Sequence, residues 1–160
     1  MVISFIGHRS LHDCKELSES IKRTITENID GQEKVLFFCG GYGGFDDLCA
    51  RVCHIIKKER GNCEVVFVTP YMTEGQQEKT KQWMQLGIYD SVIYPPLEKV
   101  PLKFAINKRN EWMIDQSDFI IAYVKHSFGG AYQSLSYAHR KKKRVINLND
   151  AIEINLEIEE

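Results

Sequence analysis

Residues 33–58 read EKVLFFCGGYGGFDDLCARVCHIIKK and carry the clearest signal of the fold. They begin with an apolar run of strand length, continue through four glycines in five positions, and end with apolar residues at helical spacing. This pattern predicts a strand at 34–39 and a helix at 45–60, joined by a glycine-rich loop. Such a loop exposes backbone N–H groups and the positive end of the helix dipole, an arrangement that suits a phosphate.

The same alternation of apolar strands and amphipathic helices extends in both directions from this stretch. Further strands are predicted at 2–7, 63–70, 90–95, 118–124 and 144–148, and further helices at 11–29, 73–86, 102–116 and 131–141. The strands are apolar on both faces and helices separate them, which indicates a parallel sheet covered on both sides. We therefore predict a single Rossmann-like, doubly wound α/β domain over residues 1–150, with a mostly parallel sheet and helices on both faces. The tail 151–160 alternates apolar and acidic residues, so an edge strand, a short helix and a frayed end all remain open.

Composition and charge narrow the classes of partner. Hydrophobic residues make up 43% and charged residues 27% of the chain, and 21 basic residues balance 22 acidic ones to a net charge of −1. This balance argues against nucleic-acid binding by bulk electrostatics, although the basic run at 140–144 keeps that alternative open. A single nucleotide needs only a few local donors and is compatible with the charge. No apolar run reaches membrane-spanning length and no signal peptide is recognisable, so a cytoplasmic protein is expected.

The five cysteines predict free thiols in a reducing compartment, because their number is odd and no C-x-x-C pair repeats. Cys49 and Cys53 lie four residues apart on the second helix, beside His54, which raises the question of a zinc site. A fourth ligand has no evident source in the sequence. We predict no metal site and no required cofactor.

The loops that follow the strands are the candidate walls of a ligand site, because ligands of open α/β sheets bind outside the carboxyl ends of the strands. Glycines let an anion approach the backbone, arginine binds it bidentately, and histidine, aspartate and asparagine supply hydrogen bonds or a proton. A tight turn, a helix cap and a solvated helix face are the alternative interpretations of these positions. The predicted ligand-binding residues are Gly7, His8, Arg9, Gly40, Gly41, Gly43, Gly44, Asp46, Thr69, Arg109, Asn110, Gly129 and Gly130.

Four short motifs, taken in order, resemble those of the SLOG superfamily, and specifically its small bacterial YpsA-like Gly-His-Arg branch. They are Gly7-His8-Arg9, the Gly-Gly-x-x-Gly-x-Asp of residues 40–46, the Lys-Arg-Asn segment of residues 108–110 with the Ser-Asp at 117–118, and Phe-Gly-Gly at 128–130. The superfamily also contains the LOG phosphoribohydrolases and the DNA-processing protein A family. The resemblance implies a Rossmann-like sheet that binds a nucleotide or nucleotide-derived ligand, with Gly129-Gly130 as the phosphate loop and Arg109 reaching the ligand.

The sequence departs from the LOG hydrolases at the catalytic position. These enzymes carry Pro-Gly-Gly-x-Gly-Thr followed by a glutamate, whereas Leu135 and Ser136 stand here where the acid would fall. Cleavage of an N-glycosidic bond needs an acid or base, and the candidate substitutes are His8, Asp46 and Glu111. Whether any reaction is catalysed therefore stays open.

Three functions follow in order of preference. The first is binding or sensing of a nucleotide or nucleotide-derived ligand, the second is N-glycosidic hydrolysis of a nucleotide, and the third is nucleic-acid binding. The LOG resemblance also suggests a homodimer.

Overall fold

The computed structural model describes residues 1–11 and 15–150. The strands are β1 (Val2–Gly7), β2 (Val35–Cys39), β3 (Cys63–Val68), β4 (Ser91–Ile93), β5 (Phe119–Tyr123) and β6 (Val145–Asn147). The helices are α1 (Lys15–Asn28), α2 (Gly44–Arg60), α3 (Glu74–Gln85), α4 (Ala105–Gln116) and α5 (Gly129–Arg140), with a 3-10 turn at Leu102–Phe104. Cys14 and the C-terminal tail 151–160, for which predictions were made above, lie outside the described residues.

The six strands form one sheet in the order β4-β3-β2-β1-β5-β6, and every neighbouring pair is parallel. The chain builds outward from β1 to β4, then crosses back to place β5 on the other side of β1. Strand order therefore reverses between β1 and β5, the kind of position at which open α/β sheets bind ligands. The predicted doubly wound α/β fold is confirmed, and the sheet is parallel throughout.

The two faces of β1 pack against different helices because successive side chains of a strand point to opposite sides. Ile3 and Phe5 belong to the large core cluster that α1 and α2 cover, whereas Ile6 packs with residues of α4 and α5. Ser4 lies on the same face as Ile6 and is 1% exposed. Two layers of helices thus cover the sheet, and the carboxyl end of β1 opens between α4 and α5.

Helix α5 begins at Gly129, two residues before the predicted start, because the glycines form part of its first turn. The residue before it, Phe128, has an extended backbone and contributes no side-chain cap. The fourth strand is shorter than predicted and ends at Ile93. No helix within the described ranges is long and apolar enough to cross a membrane.

Candidate functional site

A cavity of about 290 Å³ lies at the carboxyl end of β1, between α4 and α5. Small-molecule sites usually measure roughly 300–1,000 Å³, so this cavity has room for one small ligand. Its position is the reversal point of the strand order. The lining comprises Ser4, Phe5, Ile6, Gly7, His8, Arg9, Gly40, Tyr42, Asp46, Ile106, Asn107, Arg109, Asn110, Met113, Ile114, Gly130, Ala131 and Ser134.

The structure brings together many of the residues predicted from the sequence and leaves others outside. Those that line the cavity are Gly7, His8, Arg9, Gly40, Asp46, Arg109, Asn110 and Gly130. Those that do not are Gly41, Gly43, Gly44, Thr69, Glu111 and Gly129. Thr69 is buried and donates a hydrogen bond to the Tyr71 carbonyl, at 2.9 Å. Glu111 pairs with Lys108, at 3.1 Å, on a neighbouring groove.

The glycines of residues 41–44 are pressed against the protein's own chain. A Cβ on Gly43 would lie 2.6 Å from the Arg9 Cα, and a Cβ on Gly41 would lie 2.5 Å from the Phe67 ring. Both residues have positive φ, at 96° and 72°, which strains any other residue type. The Gly44 N–H donates to the Arg9 carbonyl at 2.8 Å. The close approach that these glycines permit joins two loops of the protein to each other.

Gly40 differs from its neighbours because it faces the cavity. A Cβ there would lie 2.9 Å from Asp46 Oδ2 and 3.3 Å from Arg109 Nη2. Glycine at this position therefore avoids a clash with one acidic and one basic group of the cavity lining.

Arg109 is a buried guanidinium, 2% exposed, although it lies on a helix that the sequence leaves compatible with a solvated face. Its Nη1 donates to the carbonyls of Gly40, at 2.8 Å, and Val68, at 2.5 Å, and its Nε donates to Asn110 Oδ1, at 2.9 Å. These bonds tie the carboxyl ends of β2 and β3 to α4. Burial lowers the pKa of Arg109 and the nearby Asp46 opposes that shift, so the group stays cationic.

Asp46 lies in the first turn of α2, and its Oδ2 accepts the backbone N–H of Tyr42 at 3.1 Å. The bond holds the residue before the N-cap, whereas the N-cap itself, Gly43, receives no side-chain hydrogen bond. Burial raises the pKa of Asp46 to about 6, although the positive charge of Arg109 and the Tyr42 hydrogen bond act in the opposite direction. A carboxyl group with that pKa exchanges its proton close to neutral pH, which suits acid or base chemistry and also hydrogen bonding to a ligand.

His8 holds the loop that follows β5. Its Nε2 accepts the backbone N–H of Lys125 at 2.9 Å, which places the proton of the neutral ring on Nδ1. Burial lowers the pKa of His8, and the nearby His126 and Lys125 lower it further. His8 is therefore neutral at pH ~7 and joins the ends of β1 and β5 across the reversal point.

The first turn of α5 is open toward the cavity. A Cβ on Gly129 or Gly130 would meet no atom within 4 Å, and no side chain caps the helix. Gly130, Ala131 and Ser134 line the cavity on this side, and the exposed Arg9 lies at the same rim. A helix N-terminus beside an arginine creates a positive potential that suits an anion.

Four polar residues of the lining were not named by sequence reasoning: Ser4, Tyr42, Asn107 and Ser134. Ser4 could have been found from the sequence, because it is the one residue with a hydroxyl group in the apolar strand VISFIG. Its Oγ lies 2.5 Å from Ser117 Oγ, so it joins β1 to the end of α4. Asn107 stands one helical turn ahead of Asn110, a spacing that would have placed it on the same face.

The other sequence candidates lie away from the cavity. Cys49 and Cys53 are buried in the core, where burial raises the pKa of both thiols, and His54 turns toward the Ile88 carbonyl. The described part of the chain contains no group of three side chains arranged to hold a metal. The basic run 140–144 precedes β6 at the amino end of the sheet. There Lys143 donates to the carbonyls of Asp115 and Ser117.

Comparison with known proteins identifies relatives in sequence and in structure. No family model matches the chain. It is 28% identical over 139 residues to the uncharacterized SPbeta prophage-derived protein YoqJ of Bacillus subtilis, an alignment that covers 78% of this chain and 81% of that protein.

Three solved structures share the fold. DNA processing protein A from Streptococcus pneumoniae superposes with a TM-score of 0.60 at 14% identity, covering 89% of this chain and 48% of that one. The same protein from Helicobacter pylori, described with a single-stranded DNA binding mode, gives a TM-score of 0.59 at 15% identity, covering 91% of this chain and 63% of that one. The structural-genomics protein TM1055 gives 0.54 at 15% identity, covering 94% of this chain and 79% of that one.

This chain therefore spans about half to two thirds of the length of the DNA-processing proteins that it matches. At sequence identities of 14–15%, the structural similarity establishes a shared fold and nothing more. The chain has the Rossmann-like fold of these proteins.

Proposed function

We propose that the protein binds a nucleotide or nucleotide-derived ligand in the cavity at the end of β1, as a cytoplasmic member of the Gly-His-Arg branch. The observation that carries the proposal is the convergence of an uncapped helix N-terminus, Arg9 and several polar side chains on one small cavity at the reversal point of the sheet. The cavity thus offers positive potential for an anion and hydrogen-bond partners for a polar organic group.

The cavity has two chemically different ends. The rim, with Arg9 and the first turn of α5, offers donors and positive potential, which suits a phosphate. The inner wall, with Met113 and Ile114, is apolar and buried, which suits a base or another flat apolar group. Asn107 and Asn110 also line the cavity and supply amides that both donate and accept.

Ligand binding is tested by titrating the purified protein with AMP, ADP-ribose, NAD, cyclic nucleotides and ribose 5-phosphate, measured by calorimetry and thermal shift. At least one of these ligands is expected to bind, and Arg9→Ala should weaken it by about 1.5–3 kcal/mol, the value of a hydrogen bond to a charged group. Arg23→Ala, on the exposed face of α1, is the control and should change nothing. Absence of binding by every ligand at millimolar concentration would refute the proposal.

A second candidate function, hydrolysis of an N-glycosidic bond, is favoured by one observation. Asp46 lines the same cavity and has a pKa of about 6, so its carboxylate can take a proton from an attacking water. Water would attack the anomeric carbon, the C–N bond would break, and the base would leave with the bonding electrons and a proton. Release of free base from AMP, measured by chromatography and lost in Asp46→Asn, would support this function. Unchanged AMP after long incubation would exclude it for that substrate.

Nucleic-acid binding is supported less well. The relatives of that kind are larger proteins, and the basic run 140–144 lies at the end of the sheet opposite the cavity, with Lys143 and Arg144 engaged in contacts within the chain. Salt-dependent binding of single-stranded DNA that Lys141→Ala and Lys142→Ala weaken would favour it over a small ligand.

A further inference from the structure

Two side chains of opposite hydrogen-bonding type face the cavity with part of their capacity unused. Asp46, which is half-buried, accepts one hydrogen bond, from the Tyr42 N–H to Oδ2, and within the described chain its Oδ1 accepts none. Arg109 donates three hydrogen bonds through Nε and Nη1. Its Nη2 donates no hydrogen bond to any residue of the described chain. The Arg109 guanidinium is 2% exposed and has one nitrogen without a partner among these residues beside a cavity, so this nitrogen is a hydrogen-bond donor already positioned for a ligand.

Gly40 lies beside both side chains, and the Asp46 oxygen next to it is Oδ2, which accepts from Tyr42 and keeps a second lone pair for a further donor. The position that a Gly40 Cβ would take is 2.9 Å from Asp46 Oδ2 and 3.3 Å from Arg109 Nη2. The two side chains influence each other's pKa, and no direct ion pair between them is found in the part of the chain that is described. An acceptor and a donor therefore border the cavity space next to Gly40, where one ligand group can reach both.

The chemistry of this space selects among ligand groups. A phosphate or carboxylate would meet the negative charge of Asp46, and an ammonium would meet the positive charge of Arg109. A hydroxyl suits both, because its O–H donates to a carboxylate while its lone pairs accept from a guanidinium. Adjacent hydroxyls on a sugar ring would satisfy both groups best.

We propose that Asp46 and Arg109 together bind a hydroxyl of a ribose and make the cavity selective for ribo- over deoxyribonucleotides. This inference rests on the proposed nucleotide-binding function and deepens it. Arg109 also keeps Gly40, and so the open space, in place through its bond to the Gly40 carbonyl. The raised pKa of Asp46 agrees with a carboxylate that has few donors before the ligand arrives.

The experiment compares affinities of the full chain for AMP, 2′-deoxy-AMP, 3′-deoxy-AMP and ribose 5-phosphate, by calorimetry at a pH of about 7.5, where Asp46 is ionised. We expect AMP to bind at least about tenfold tighter than one or both deoxy analogues, the range of a hydrogen bond to a charged group. The analogue that loses affinity identifies the hydroxyl. Ribose 5-phosphate should bind measurably, because it keeps the phosphate and the diol.

Asp46→Asn is the decisive variant, because it keeps the size of the side chain and the acceptor for Tyr42 while removing the charge. It should weaken AMP about tenfold and leave the deoxy analogue that lacks the contacted hydroxyl nearly unchanged, so that the discrimination against this analogue disappears. Asp47→Asn is the matched control, since Asp47 is the neighbouring, exposed acid in the same helical turn. It should leave the ratio of affinities as in the wild type.

The outcomes separate this inference from the function on which it rests. If AMP and both deoxy analogues bind the wild type within about twofold of each other, the ribose contact is wrong and nucleotide binding stands. The ribose contact is equally wrong if Asp46→Asn weakens all three ligands by the same factor. If neither these nucleotides nor ribose 5-phosphate bind, the ribose contact is wrong, and nucleotide binding is refuted as well when ADP-ribose, NAD and the cyclic nucleotides also fail to bind.

Discussion

The two glycine-rich loops of the protein look alike in sequence and behave differently in the fold. The loop between β2 and α2 is packed, because Gly41 and Gly43 press against Phe67 and Arg9 and the buried Arg109 holds the carbonyl of Gly40. The loop between β5 and α5 is open, because nothing lies within 4 Å of a Cβ on Gly129 or Gly130. The first loop therefore supports the site, and the second leaves its helix N-terminus accessible. Glycine in a loop indicates close approach, and only the surroundings tell whether the chain or a ligand approaches.

The largest effect is expected from Arg109→Met, which removes the anchor of the packed loop. The carbonyls of Gly40 and Val68 lose their donor, and Asp46 loses the charge that offsets its burial. Unfolding in urea should show a loss of about 3–5 kcal/mol, because two carbonyls lose their donor and a carboxylate loses the nearby cation. Lys108→Met, next in sequence and exposed, should change stability by less than about 0.5 kcal/mol. Equal losses in both variants would contradict a structural role specific to Arg109.

Gly43→Ala should come next, because the added Cβ meets the backbone of Arg9 and forces an alanine to a φ of 96°. We expect a loss of about 3 kcal/mol, combining backbone strain with overpacking, measured by urea denaturation. A neutral result would mean that the packed loop can relax away from Arg9.

Asp46→Asn tests the carboxyl group of the packed loop through pH. Its pKa is raised from 3.8 to about 6 in the folded protein, so the folded state binds this proton more tightly than the unfolded chain does. The wild type therefore loses stability as the pH rises between these two values. The variant should be more stable by about 1–3 kcal/mol above pH ~6, and the gain should vanish below pH ~4. A stability difference that does not change with pH would show that folding does not raise the pKa of Asp46.

Gly130→Ala changes the open loop and should raise the stability of the protein slightly, in contrast to Gly43→Ala. The added methyl meets no atom and lies in the first turn of a helix, so stability should rise by about 0.5–1 kcal/mol. If the first turn of α5 contacts the ligand, the same variant weakens ligand binding. Thermal denaturation and calorimetry measure the two effects separately. A destabilised Gly130→Ala protein would remove the contrast between the loops.

His8→Ala should leave global stability nearly unchanged while loosening the open loop. The bond from the Lys125 N–H to His8 Nε2 is lost, so amide exchange at Lys125 should become faster. Lowering the pH should likewise reduce the protection of the Lys125 amide from exchange in the wild type. The pKa of His8 is lowered by folding, so the folded protein binds this proton more weakly than the unfolded chain, and the contribution of His8 declines as the pH falls through and below about 6.5. Unaltered exchange in the variant would show that other contacts hold the loop.

Much of the fold was predictable because it depends on local patterns. The buried strands are continuous apolar runs, and the helices between them carry apolar residues at helical spacing, so element order and a parallel sheet followed directly. The boundaries that were missed lie where local signals conflict. Helix α5 begins at Gly129, and glycine disfavours helices in general although this one tolerates a positive φ in its first turn.

The candidate site was predictable only in part. Loops after parallel strands meet at one edge of the sheet whatever their sequence, which is why Arg9, Asp46 and Gly130 line one cavity. Glu111 follows Asn110 directly on α4 but lines a neighbouring groove, because adjacent residues of a helix face different directions. Ser134 lines the cavity because α4 and α5 pack side by side, and no local pattern predicts that packing, whereas Asn107 could have been found from its spacing to Asn110.

The α/β class, the parallel sheet and the edge of the sheet at which the cavity lies follow from the amino-acid sequence alone, because hydrophobic periodicity and chain direction determine them. The role of each residue emerged only in the folded chain. Folding buried Arg109 against the ends of β2 and β3, raised the pKa of Asp46 to about 6, and turned one glycine loop inward while leaving the other open. Burial and hydrogen-bond partners come from residues distant in sequence, and these set the charge state, the free space and the accessibility of a side chain.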